Sequence, residues 1–136
     1  MQIRNGIVIE DDFIAAFNDL MMRDMPVQQC HELSICLEEL ASHLSVLKRT
    51  KLTLIQKYAS KDPRTEQFLM DPDGNVLFPD EKIKVKCATE INEIMSDHID
   101  IPLTGPIVIY KDEKMTPRKY ALLKDIIKVV DRPKEN

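Results

Sequence analysis

His31-Glu32 opens like the zinc-binding His-Glu-x-x-His helix of metalloproteases, but position 35 is Ile, so the second histidine that would share the metal is missing. Glu39 and His43 stand one helical turn apart and would make a hydrogen-bonded pair suited to proton transfer. A solvated helix face accounts for the same spacing without any chemistry, and the same holds for Glu38. Ser34, Ser42 and Ser45 have no strand-to-helix glycine elbow to present a nucleophile, and Thr104-Gly105-Pro106 has neither the glycine run nor the lysine of a phosphate loop. Asp71, Asp73 and Asn75 alternate like the first ligands of a calcium loop, yet Gly74 falls before the third of them and no glutamate closes the loop. A tight turn explains that segment better.

Cys30, Cys36 and Cys87 are an odd number with no Cys-x-x-Cys pair, a pattern of reduced thiols rather than of a disulfide framework. A zinc site drawing on His31, His43 or His98 would have to gather Cys30 and Cys36, which lie about 240° apart around one helix. The three cysteines therefore read as small core hydrophobes. The expectation is no metal, no cofactor and no catalytic residue.

The element that must carry most of these side chains is Val27–Tyr58. Cys30, Leu33, Leu37, Leu40, Leu44, Leu47, Lys51, Leu54 and Tyr58 alternate steps of three and four, a heptad seam, with no Gly or Pro inside. One helix of about 27–59 follows, roughly 48 Å long at the α-helical rise. A compact domain of this size has a radius of gyration of about 14 Å, so part of the helix must project or meet another chain. Cys36, Ala41, Leu52 and Ile55 widen the stripe enough for more than one neighbour. Lys51 reads either as a register-setting polar residue at an oligomer interface or as a stem lying on the seam with its ammonium in water.

Around this helix the chain predicts a single, mainly α domain with minor β structure. Asn5-Gly6 between short apolar strings is the signal of a two-residue β-hairpin over residues 3–9. Asp11 or Asp12 caps a short helix with Phe13, Ala16, Phe17, Leu20 and Met21 on its apolar face, and Pro26 starts the long one. Residues 66–79 read as a second hairpin, with Phe68-Leu69-Met70 and Val76-Leu77-Phe78 flanking Asp71-Pro72-Asp73-Gly74-Asn75. A third helix over 80–98 carries Ile83, Cys87, Ile91, Ile94 and His98 on one face. It folds back antiparallel so that Cys87 to Ile94 covers the Leu37 to Leu47 section. Ile101-Pro102-Leu103 and Pro106 to Tyr110 are extended. Thr116-Pro117 starts a last helix over 116–131 whose face is Tyr120, Leu123, Ile126, Ile127 and Val130.

The net charge of -4 with interspersed signs offers no single-sign face for phosphates, which disfavours nucleic-acid binding. Four Phe, three Tyr and no Trp leave little for base stacking. No run approaches the ~20 apolar residues of a membrane span, so a soluble chain is expected.

The order of these motifs resembles a family of small tailed-bacteriophage proteins known only as a domain of unknown function. The likeness is carried by Ile3-Arg4-Asn5-Gly6, Met25-Pro26-Val27, the run from Leu52 to Asp62 that includes Tyr58-Ala59-Ser60-Lys61-Asp62, and Asp73-Gly74-Asn75-Val76. Glu90 to Met95, Asp100-Ile101-Pro102 and Thr116-Pro117 with Leu122-Leu123 also carry it. Nearly the whole chain is covered; the acidic patch usual after the third helix is replaced by Asp97-His98. The resemblance implies a phage origin, synthesis in the host bacterial cytoplasm and a place among virion or assembly proteins, and it supplies no catalytic residue. The sequence-level expectation is a non-enzymatic protein acting through helix-mediated contacts, near the head–tail connection or as an assembly factor, as a homo-oligomer or part of a larger assembly. The alternative is a small phage-encoded binder of a host or defence protein. The surface expected to make the contacts is Leu37, Leu40, Leu44, Leu47, Lys51 and Leu54 on the helix, with Phe68, Leu69, Leu77 and Phe78 on the hairpin.

Overall fold

The computed structural model describes residues 1–134. In chain order the elements are β1 (Gln2–Arg4), α1 (Asn5–Val8), α2 (Phe13–Met21), α3 (Val27–Tyr58), α4 (Glu81–Ser96), β2 (His98–Asp100), β3 (Ile107–Tyr110), α5 (Pro117–Leu123) and β4 (Ile127–Val130). About half the chain is helical, as the periodicity predicts, and the long helix has the bounds its seam defines. Pro26 sits just before it, as the N-cap residue with extended backbone.

The first predicted hairpin is replaced by a helix. β1 pairs antiparallel with β2, Ile3 opposite Ile99, and Asn5-Gly6 begins α1 instead of a turn. The reason lies in what the two residues touch. Asn5 is buried, donates its amide to Ile94 O at 2.9 Å and accepts from His43 Nε2 at 2.7 Å, so it ties α1 to α4 and α3 at once. A Cβ on Gly6 would stand 3.3 Å from Met95 O, a tight approach that favours the residue without one. Asn5 N–H also donates to Asp97 O.

The last helix is shorter than its apolar face suggests. α5 stops at Leu123, Ile126 lies between the two elements, and Ile127 to Val130 form β4, parallel to β3 with Ile107 opposite Ile127. Parallel strands need a long crossover, and α5 with its flanks provides it. Thr116 caps α5 by accepting from Lys119 N–H, with Pro117 in the first turn, as predicted.

The core gathers around α2 and the first two thirds of α3. Phe13 and Phe17 of α2 meet Leu33, Cys36, Leu40 and Leu47 of α3, with Ile3, Val8, Ile101, Leu103, Ile107 and Leu123 closing over them. Among the described residues this buried cluster takes no member from residues 48–100. The rest of α3 and most of α4 therefore form an antiparallel arm with its own small contacts: Tyr58 Oη donates to Glu90 Oε1 at 2.8 Å, and Cys87 Sγ lies 3.8 Å from Leu54 O. The pairing is displaced from the expected one, since Cys87 packs at Leu54 and only the end of α4 reaches the core. His98 has left the helix for β2 and is exposed.

Candidate functional site

The arm carries a cleft of about 700 Å³. Its floor is Ile55 of α3, Val76 and Phe78 of the hairpin, and Cys87, Ala88 and Ile91 of α4; Asp71, Asp80, Glu81 and Lys84 stand at the rim. Residues 68–78 close one side as an irregular antiparallel loop. Met70 and Val76 form an isolated bridge, Leu77 N–H donates to Leu69 O, and both limbs bond to Ser60 just after α3. The predicted hairpin is thus present as bridges rather than full strands, and the surface under it is the chain's own arm.

Its turn follows from the residue types. Gly74 has φ +83°, where a side chain is strained, and Asp71 Oδ1 accepts from Asp73 N–H at 3.0 Å and Asn75 N–H at 2.8 Å. These donors, Asn75 first, hold the Asp71 carboxyl below the usual range, so the side chain that resembled a calcium ligand serves as the turn's acceptor. Asp80 is likewise occupied, accepting from Ile83 N–H as the cap of α4. The cleft thus offers an apolar floor rimmed by three carboxylates, Asp71, Asp80 and Glu81, and one cation, Lys84, whose charge also helps hold the Asp71 carboxyl low. Glu66, in the turn that leads into the loop, has φ 59°, an uncommon conformation for a non-glycine residue.

A second cavity of about 450 Å³ lies between the start of α3 and residues 104–110. Two of its charged groups, Glu32 and Arg23, are spent within the fold. Glu32 accepts from Thr104 Oγ1 at 2.9 Å, and Arg23 pairs with Glu113, which also accepts from Tyr110 N–H at 2.6 Å. Arg23 and the Tyr110 amide together keep the Glu113 carboxyl below its usual range.

The residues predicted to form a contact surface divide. Leu40 and Leu47 are 0% and 3% exposed inside the chain's own core, which removes them from any surface, and Leu37, Leu44 and Leu54 are half-buried. Lys51 is exposed. On the loop, Leu69 and Leu77 are exposed at 42% and 41%, while Phe68 and Phe78 turn inward and are half-buried. Sequence reasoning missed Met70 (57% exposed) and Val85 (55% exposed) as surface apolar groups, and Ile91 and Lys84 as cleft residues. Ile55, which widens the stripe, was the available signal for the cleft wall; nothing in the spacing of Val85 marked it.

The other candidates for chemistry are scattered. His43 bonds Asn5 rather than Glu39. Cys30 is exposed, against the expectation of a core cysteine, while Cys36 and Cys87 are buried in different regions. Burial, then Glu39 and Glu32, push the Cys36 thiol up to about 11. Among the described residues no group of three His, Cys, Asp or Glu side chains is gathered to hold a metal ion, and no helix is long and apolar enough to cross a membrane. Compared with protein-family models, curated proteins and solved structures, the chain has no match.

Proposed function

We propose that this chain is a non-enzymatic bacteriophage structural or assembly protein that docks another protein of its particle, near the head–tail connection, on its α3–α4 arm. The observation that carries the reading is the division of the fold: the fully buried core takes no residue from 48–100 and only Ile94 and Ile99 of that stretch pack against it, leaving an arm whose cleft and exposed Leu69, Met70 and Leu77 offer apolar surface beyond what folding uses. The resemblance in motif order supports the phage setting. An apolar floor rimmed by three acids and one base suits an amphipathic segment of a partner, a groove-docking mode in which the segment's apolar side chains supply the affinity.

Two measurements test this. Quantitative mass spectrometry of purified virions is expected to find the chain in fixed proportion to the connector proteins. Replacing residues 64–77 by a short Gly-Ser linker is expected to preserve the helical circular dichroism while particles from the altered phage lose the chain. Virions without the protein, together with intact assembly by the deletion, would turn the reading towards a binder of a host protein.

A further inference from the structure

α3 has heptad spacing on two faces. The inner one, through Leu33, Leu40 and Leu47, is covered by the chain's own core. The outer one steps by four and three from His31 through Ile35, Glu38, Ser42, Ser45, Arg49 and Leu52 to Gln56. It lies on the far side of the helix from Leu40, with Arg49 about 180° around the axis. Every one of these side chains is exposed except Ile35, which is half-buried.

This outer stripe matches its own reversal. About the point between His43 and Leu44, Glu38 is the mirror of Arg49, Ile35 of Leu52 and Ser42 of Ser45. The charges of the whole helix follow the same division. Its first part, residues 27–47, carries Glu32, Glu38 and Glu39 and no Lys or Arg; residues 48–58 carry Lys48, Arg49, Lys51 and Lys57 and no Asp or Glu. A parallel copy would set acid against acid, whereas an antiparallel copy sets acid against base.

We propose that two copies of this chain form a two-fold antiparallel homodimer through the outer face of α3. In such a pair each inward position meets the alternate inward position of its reversed partner, the register the stripe needs. Ser42 and Ser45 at the centre let the axes approach towards the short end of the usual 8–10 Å, about 8 Å. Glu38 then reaches Arg49 of the second copy on both sides of the centre, and Ile35 packs on Leu52 beyond. Neither Glu38 nor Arg49 has an ion-pair partner within its own chain among the described residues. Eight stripe residues and their flanks fall short of the roughly 20–30 per side of a stable standard-size interface. The dimer is accordingly a weak one, dissociating at about 1–100 μM, and it weakens with salt. The face is separate from the cleft, so this inference does not rest on the proposed function and either can fail alone.

Sedimentation velocity of the full chain across concentration is the test. The wild type is expected to move from monomer to dimer by about 100 μM at low salt. Glu38→Arg and Arg49→Glu, each alone, are expected to weaken association at least tenfold with unchanged circular dichroism, because both sites are exposed. An equimolar mixture of these two variants restores every charge pair and is expected to form a heterodimer. A wild type that stays monomeric at that concentration, single variants that associate as it does, or a mixture that fails to re-form the dimer would each overturn the proposal.

Discussion

Burial decides which side chains of this protein are open to chemistry. Cys30 is exposed, whereas Cys36 and Cys87 have thiols pushed above their ordinary range, chiefly by burial. Since the thiolate is the reacting species, Cys30 is expected to take up iodoacetamide at neutral pH while the other two remain unmodified until the fold opens; peptide mapping after a timed exposure reads this out. Glu113 supplies a pH dependence with a definite sign. Its carboxyl is held low in the folded chain by Arg23 and by the Tyr110 amide. Its contribution to stability is therefore full above the unfolded carboxylate range and disappears as pH falls through the folded value. Glu113→Gln is expected to cost about 1 kcal/mol at pH 7, with the gap to wild type closing below about pH 4. Urea titrations at a series of pH values measure it, and a gap independent of pH would contradict the assignment.

At the scale of elements, sequence legibility depended on whether one physical cause fixed the local structure. α3 was readable because Leu33, Leu40 and Leu47 repeat without a breaker, and α5 began where Thr116-Pro117 fixes a cap. Asn5-Gly6 was misread because the same dipeptide suits a tight turn and also the buried amide clamp and close approach to Met95 that it makes here. No local pattern distinguishes the two, since both partners lie far along the chain. Ile126-Ile127-Lys128-Val129-Val130 was ambiguous in another way: its apolar positions satisfy a helical face, but four β-branched residues in five favour a strand. The clamp at Asn5 is expected to matter in proportion to what its loss strands. Asn5→Ala leaves the His43 N–H without its partner and the Ile94 carbonyl with the Asp97 N–H alone, and should cost about 1–3 kcal/mol. A midpoint of thermal unfolding unchanged from wild type would show that water replaces the amide freely.

For the whole molecule, the division between core and arm sets different tolerances along one helix. Leu40 is fully buried, so Leu40→Glu would bury an unpaired carboxylate and is expected to abolish cooperative folding. Lys51, three turns further on, is exposed, and Lys51→Glu should change stability by no more than about 0.5 kcal/mol. Two urea titrations suffice to compare them. Two residues of the contact surface expected from the sequence lie inside the core for the same reason: periodicity shows that a face is apolar, but not whether its own chain or another covers it. Leu40 and Leu47 answered to the core, while Leu69 and Leu77 stayed outside.

The pairing of β1 with β2 also bears on the order of events during synthesis. Ile3 and the Asn5 amide find their partners only at Ile99, Ile94 and Asp97. At a ribosomal rate of about 5–20 residues per second, those partners are added roughly 5–20 s after the first strand. Throughout that interval β1 has no sheet to join, while α2 and α3 can already meet. The fold closes from the middle, and its first residues are among the last to be fixed.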